Sequence, residues 1–262
     1  LEDADLVISD NLGGILSLRS DAILMGSFLW STVMAEAFPE ISEVAAFVRN
    51  EHELIERYRP PMLCVEGFAM PDVLARTRAI PVPWMCPAVP GDTPEREAGC
   101  RPRVAVLAGA SGAADVEALA IAREILFESE IEVAVPEYFI ARLPSSSRIV
   151  SFGYRAEDFY TCSAVFCRPA MGTIHECIAY RLPMVFFRES GNVEMAFNAR
   201  AAQELGLGVE LGSGAMYGNF RAVLHRILDP QVRASILDTM DRGRSDGLDV
   251  AAHWLMDSLR GK

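Results

Sequence analysis

Four short segments of this chain carry residue types that could do chemistry. The first is Leu107–Gly112 (LAGASG), a small-residue turn after an apolar run. Backbone N–H groups in such a turn can approach a diphosphate, and the dipole of a following helix adds attraction. Gly109 and Gly112 would open the backbone, and Ser111 would donate a hydroxyl. The turn is neither GxGxxG nor a Walker A, and the plain alternative is a tight strand-to-helix connection. The second segment is Cys167–Glu176 (CRPAMGTIHE). The turn through Met171 and Gly172, with a helix opening near Thr173, would meet a phosphate. Glu176 would then accept hydrogen bonds from a ribose diol. Thr173-x-x-Glu176 is equally a capping box, in which Glu176 satisfies only its own helix. His175, between them, is of a type more often packed or exposed than catalytic.

The third segment, Glu189–Asn198 (ESGNVEMAFN), places Gly191, Asn192, Glu194 and Asn198 after a strand, where open α/β sheets take ligands. Its alternative is a solvated loop with an N-cap at or near Asn192. Asn198 fits that alternative less well, because Asn is a poor interior helix residue. The fourth is Ser151–Tyr154 (SFGY). Backbone N–H and C=O groups at Phe152 and Gly153 could read a base edge, with the Phe152 ring as a wall. The alternative is a loop with a packed aromatic.

The elements that must hold these segments are most regular over residues 103–211. Apolar runs predict strands at Val104–Ala108, Ile131–Val135, Arg148–Ser151, Ala164–Cys167, Met184–Phe187 and Gly208–Glu210. Helical patterns lie between them at Ala114–Phe127, Glu157–Thr161, Thr173–Tyr180 and Glu194–Leu205. Alternating βα units with short continuous apolar strands mean a parallel sheet covered on both faces, a Rossmann-like domain. All four segments then fall at carboxyl ends of strands of one sheet. Their order of turn, base edge, ribose and phosphate, then sugar describes a nucleotide-sugar site.

Residues 1–95 read differently. Strands are expected at Asp5–Ser9, Ala22–Gly26, Met62–Val65 and Ile80–Trp84, with a loop and helix start at Asn11–Ser17 and one amphipathic helix, Ile41–Tyr58, stopped by Pro60-Pro61. The expectation is half of a second Rossmann-like domain, with its other half outside this sequence. Pro87–Pro102, with four prolines, two glycines and five charged residues, reads as a linker. Helices are expected at Ala215–Leu228, Val232–Met240 and Val250–Leu259. The expected domains are 1–95, 96–228, and a helical tail over 229–262 that packs back on the first domain.

Composition narrows the function classes. Lys plus Arg is 24 and Asp plus Glu is 36 in 262 residues, a formal charge of −12, and 51% of residues are apolar. That is a globular composition, and its acidity speaks against a nucleic-acid partner or a polybasic membrane anchor. No window is apolar enough for a membrane span. Six cysteines without C-x-x-C spacing read as reduced thiols of a cytoplasmic protein, and four scattered histidines show no H-x-x-x-H metal spacing.

About 110 residues, 103–211, resemble the donor-binding domain of GT-B glycosyltransferases, through CRPAMGTIHECIAYRLPMVFFRESGNVEMAFNARAAQELGLGVEL. The pattern is a small-residue turn, Thr, Glu three later, a Leu-Pro turn into a strand, an acidic-x-x-x-Asn-Ala helix and G-L-G. The branch it looks most like holds the peptidoglycan GlcNAc transferase, UDP-glucuronosyltransferases and UDP-sugar hydrolases. The fold this implies is α/β of GT-B type, two Rossmann-like domains with parallel sheets, the first truncated here.

The function it implies is metal-independent sugar transfer from a nucleotide-sugar donor, UDP-linked, to an unidentified acceptor, with no cofactor beyond that substrate. By resemblance Gly109–Gly112 lies by the diphosphate, Phe152–Gly153 by the uracil, Thr173 by phosphate, Glu176 by ribose and Glu194 by the sugar. Met195 stands where many members have a Gln that bonds sugar hydroxyls. The opening DLVISDN…AILMGSFLWS is similar to the acceptor-side domain, which makes Asp10 the candidate general base or, alternatively, a helix cap. A nucleotide-sugar hydrolase or epimerase, or a non-catalytic nucleotide-sugar-binding protein, stands as the alternative on the same fold.

Overall fold

Strands that are apolar on both faces can be stable only between two layers of helices, and both sheets of this chain are built that way. The computed structural model describes residues 3–89, 100–109, 112–187, 191–211 and 219–260. It divides into two units: Leu1–Met85 with Gly191–Phe197 and Arg244–Lys262, and Cys86–Ser190 with Asn198–Gly243.

In the first unit β1 (Ile8–Asp10) leads through a 3-10 turn (Gly13–Ser17) to β2 (Ile23–Met25). Two helices, α1 (Trp30–Ala37) and α2 (Ser42–Tyr58), precede β3 (Pro61–Val65), and α3 (Pro71–Arg76) precedes β4 (Arg78–Val82). The four strands are parallel and lie in sequence order. Pro81 lies in β4, an edge strand, where a missing N–H is tolerated. Alternate residues divide the core. Leu24, Met62 and Cys64 face Leu29, Ile55 and Val73 on one side, while Ile23, Leu63 and Val82 face the other. Residues 1–95 therefore hold more helix than the single amphipathic pattern at Ile41–Tyr58 predicts. The N-terminus of α1 is satisfied from a distance. Glu51 of α2, 1% exposed, accepts the Ser31 N–H at 2.6 Å and the Gly13 N–H at 3.0 Å. A buried carboxylate thus ties the 3-10 turn and the start of α1 to α2.

The second unit runs β5 (Arg103–Leu107), α4 (Asp115–Ile125), β6 (Glu132–Val135), α5 (Glu137–Ile140), β7 (Ile149–Ser151) and α6 (Ala156–Tyr160). It continues β8 (Ala164–Cys167), α7 (Met171–Ala179), β9 (Met184–Phe186), α8 (Val193–Glu204), β10 (Gly208–Glu210), α9 (Phe220–Leu228) and α10 (Pro230–Arg242). Its six strands are all parallel, in the order β7-β6-β5-β8-β9-β10. Numbered within the unit this is 3-2-1-4-5-6, the doubly wound dinucleotide-fold order, and the direction of winding reverses between β5 and β8. Residues of α8 up to Phe197 group with the first unit.

The last helix, α11 (Gly247–Arg260), belongs to the first unit, whereas α10 groups with the second. Ala251, Val250, Trp254 and Leu255 cover the Ile23, Leu63 and Val82 face of the first sheet. Its entry is fixed by Trp84 N–H donating to Arg244 O at 3.0 Å and Gly247 N–H to Trp84 O at 3.1 Å. A Cβ at Gly247 would stand 2.0 Å from the Pro83 carbonyl oxygen, so no side chain fits there. Gly247→Ala should therefore lower stability by about 2 kcal/mol or more, the range of an overpacked site with a backbone shift. A lower urea midpoint, with earlier proteolysis after residue 243, is the expected reading.

Candidate functional site

The reversal between β5 and β8 is where an open α/β sheet forms a ligand crevice, because loops on its two sides leave toward opposite faces. Two small-residue segments flank it. After β5, Gly109 and Gly112 adopt φ of 79° and 71°, left-handed values that favour glycine. Ser111, between them, lies outside the described residues. After β8 the chain runs Arg168-Pro169-Ala170 into α7.

Helix α7 begins at Met171, two residues before the position its sequence pattern suggests. Its N-cap is Ala170, and no side chain caps it. This corrects the capping-box reading. Thr173 is the third residue of the helix rather than its cap, so Glu176 lies in the second turn, away from the orphan amides of the first. Met171 and Thr173 are partly exposed and Gly172 is exposed. Among the described residues, no side chain caps the first-turn amides of α7 at the end of β8.

Arg168, not singled out from sequence, is a cation beside the first turn. Its N–H donates to Leu107 O at 3.1 Å, pinning the end of β8 to β5. Its Nη1 would lie 3.8 Å from a Cβ at Gly109, so the guanidinium sits directly against the first turn. Its sequence signal was a lone basic residue immediately after a strand.

Glu176 is half-buried, and burial raises its carboxyl above the usual carboxylate range. Tyr154 is close to it. Burial foremost, then Tyr138 and Glu176, pushes the Tyr154 phenol up to about 12. Tyr154 also holds φ at 59°, unusual for a bulky residue, and its ring remains exposed. Partial burial foremost, then Asp115, raises the Tyr138 phenol, and Arg142 opposes them. Glu176 and two tyrosines therefore line the carboxyl edge of the second sheet.

The base-edge segment changes its assignment. Phe152 is 2% exposed and packs edge-on against Tyr154 and Phe159, at centroid distances of 5.1 and 5.0 Å. It is a core ring, and the ring open to a ligand is Tyr154. The backbone donors are in use as well. Phe152 N–H donates to Val135 O at 2.8 Å, and Gly153 N–H to Asp158 Oδ2 at 2.9 Å.

The segment before α8 resolves mostly into local structure. Asn192 caps that helix, its Oδ1 accepting the Met195 N–H at 3.1 Å. Met195 is 2% exposed, so the position expected to hold Gln is a packed one here. Gly191 has φ 79° and Glu194 sits half-buried in the first turn. Gly191, Asn192 and Glu194 group with the first unit, and Asn198 with the second. Asn198 is fully buried, with Nδ2 donating to Pro169 O at 3.1 Å. Its interior helix position is thereby explained: it holds the loop that enters α7. Residues 188–190 lie outside the described residues.

Asp10 ends β1 with its side chain exposed. It caps no helix, since the 3-10 turn has Leu12 as N-cap without a side-chain bond. Asp3 and Asp5 have D-x-D spacing but are exposed ahead of β1, and no cluster of three His, Cys, Asp or Glu suits a metal among the described residues. All six cysteines are free thiols, five of them buried. No helix of the described residues is long and apolar enough to cross a membrane.

No protein-family model and no curated protein sequence matches the chain. Solved structures do. The chain is similar to the kitacinnamycin glycosyltransferase, with TM-score 0.68 and 14% identity over 98% of this chain and 76% of that one. CalG4, the calicheamicin glycosyltransferase, gives TM-score 0.64 and 14% identity over 98% and 74%. The glycosyltransferase VinC, in complex with dTDP, gives 0.58 and 17% over 100% and 73%. The fold is accordingly that of GT-B glycosyltransferases, two units each with a parallel sheet. These neighbours support the glycosyltransferase fold and do not bear on the peptidoglycan GlcNAc transferase branch that the sequence resembles.

His175, beside Glu176, is 8% exposed, and its Nε2 has no hydrogen-bond partner among the described residues. Burial pushes its imidazole down from 6.5 to about 4. The unfolded chain takes up that proton first, so the penalty is absent above pH 6.5 and grows as pH falls toward 4. His175→Leu should gain on the wild type by about 3 kcal/mol between pH 7 and pH 4, read from urea unfolding at both ends.

Proposed function

We propose that this chain is a glycosyltransferase that takes a sugar from a pyrimidine nucleoside diphosphate sugar and passes it to an acceptor hydroxyl. One observation carries the reading. The uncapped start of α7, the guanidinium of Arg168 and the left-handed Gly109 and Gly112 lie where the second sheet reverses its winding. Backbone amides and a cation at that place suit a diphosphate. The base and ribose belong on the neighbouring edge, with Tyr154 offering a ring face and Glu176 accepting from ribose hydroxyls. VinC and the rhamnosyltransferase SpnG, both similar in fold, bind thymidine diphosphate, which supports a pyrimidine.

In the proposed reaction Asp10 takes the acceptor O–H proton while that oxygen bonds to the anomeric carbon. The bond from anomeric carbon to phosphate oxygen breaks with its electron pair on the diphosphate. The helix amides and Arg168 stabilise the leaving charge, and Asp10 returns its proton to water. In this reading no metal is required, because α7 and Arg168 take the role a cation would have.

The test is thermal unfolding with dTDP, UDP and GDP. A nucleotide at about 100 times its Kd should stabilise by about 2.7 kcal/mol, a rise of roughly 5–11 °C for a chain of this size. dTDP or UDP should produce it and GDP should not. Arg168→Ala should weaken binding about tenfold or more. Glu176→Ala should cost UDP more than dTDP, since only UDP offers the vicinal diol. No shift with either pyrimidine nucleotide would refute the reading.

A further inference from the structure

The loop that leaves β1 is organised around one side chain, Asn11. It is 9% exposed and holds φ at 54°, a left-handed value that Asn adopts more readily than most residues. Its polar groups reach the ends of two strands. The backbone N–H donates to Met25 O at 2.9 Å, and Oδ1 accepts the Phe28 N–H at 3.3 Å. Nδ2 donates to Asp10 Oδ1 at 2.9 Å. Gly26 is the complement of this arrangement. A Cβ there would lie 1.8 Å from Asn11 Oδ1, and Gly26 itself holds φ 146°. The loop after β2 thus leaves space for the Asn11 amide.

An exposed Asp on a loop ordinarily samples several rotamers. Here one carboxylate oxygen is held by a buried amide that is itself fixed at both other groups. The second oxygen, Oδ2, has no hydrogen-bond partner among the described residues. We propose that Asn11 is a positioning residue that aims Asp10 Oδ2 at the acceptor hydroxyl. The inference rests on the reading of Asp10 as the base. It adds a residue whose only function toward the reaction is to hold that base, and it gives Gly26 its reason. Exposed Leu12 and Trp30 adjoin the same loops, so an apolar acceptor with one hydroxyl is a suitable probe.

The test uses the full chain with dTDP-glucose and 4-methylumbelliferone. Asn11→Asp keeps the φ preference and the acceptor for Phe28 N–H, but sets a carboxylate oxygen against Asp10. Asn11→Gly keeps the φ and deletes the side chain. Both should lower kcat at least tenfold, with the KM for dTDP-glucose and the melting shift by dTDP unchanged. Combined with Asp10→Asn, Asn11→Gly should add nothing further, because the two act as one unit. Retention of kcat within twofold in either single variant, or multiplied losses in the double one, overturns the inference and leaves Asp10 as the base. A silent Asp10→Asn overturns the base reading and this inference together. Absence of turnover by the wild type, with this acceptor and with water, overturns both as well.

Discussion

The reversal of winding between β5 and β8 is the constraint on which the candidate site depends. In a parallel sheet the crossovers on either side of that point pack on opposite faces, and nothing fills the gap between the loops at its carboxyl edge. What lines the gap is then decided by the few residues after β5 and β8. Here they are glycines at left-handed φ, an arginine bonded through its backbone to β5, and a helix that starts without a cap. Asn198 supports this from beneath by holding Pro169, so the entry into α7 is fixed by a buried hydrogen bond rather than by a cap. Backbone amides at a helix start beside a guanidinium are groups that an anion can complete.

The first unit solves a different problem. Its sheet has no reversal, and its strands follow one another in order. The loops at the carboxyl ends of β1 and β2 are instead held by two polar side chains taken out of water. Glu51 binds amides of the 3-10 turn and of α1, and Asn11 binds the ends of β1 and β2. Both are costly to bury unless fully bonded, which is why they order the loops so specifically. The other face of this sheet is closed by α11, seated through a glycine where backbone meets backbone.

Much of this was legible in the residues. Strands buried on both faces read as short apolar runs, and Ala164–Cys167 and Gly208–Glu210 begin and end where the pattern places them. The turns that flank the crevice were legible as small-residue segments. What was not legible depends on contacts between distant residues. Helix α1 carries Ser31, Thr32 and Val33, poor helix formers at its start, and is secured by Glu51 twenty residues on. The start of α7 was hidden because Ala170 gives no cap signal, whereas Thr173-x-x-Glu176 imitates one. The left-handed backbone of Tyr154 has no sequence signature at all. Phe152 shows the converse: an aromatic after a strand looks like a ligand wall, and only the neighbouring rings reveal it as core.

Hydrogen exchange of the full chain with and without saturating dTDP tests the central claim most directly, since it locates the diphosphate by residue. Slowed exchange is expected at the amides of Gly109, Gly112, Met171, Gly172 and Thr173, the donors after β5 and β8 assigned to the diphosphate. The amides of Phe152 and Gly153, already bonded within the protein, should change little. Unchanged exchange across Met171–Thr173 in a chain that binds dTDP would contradict it.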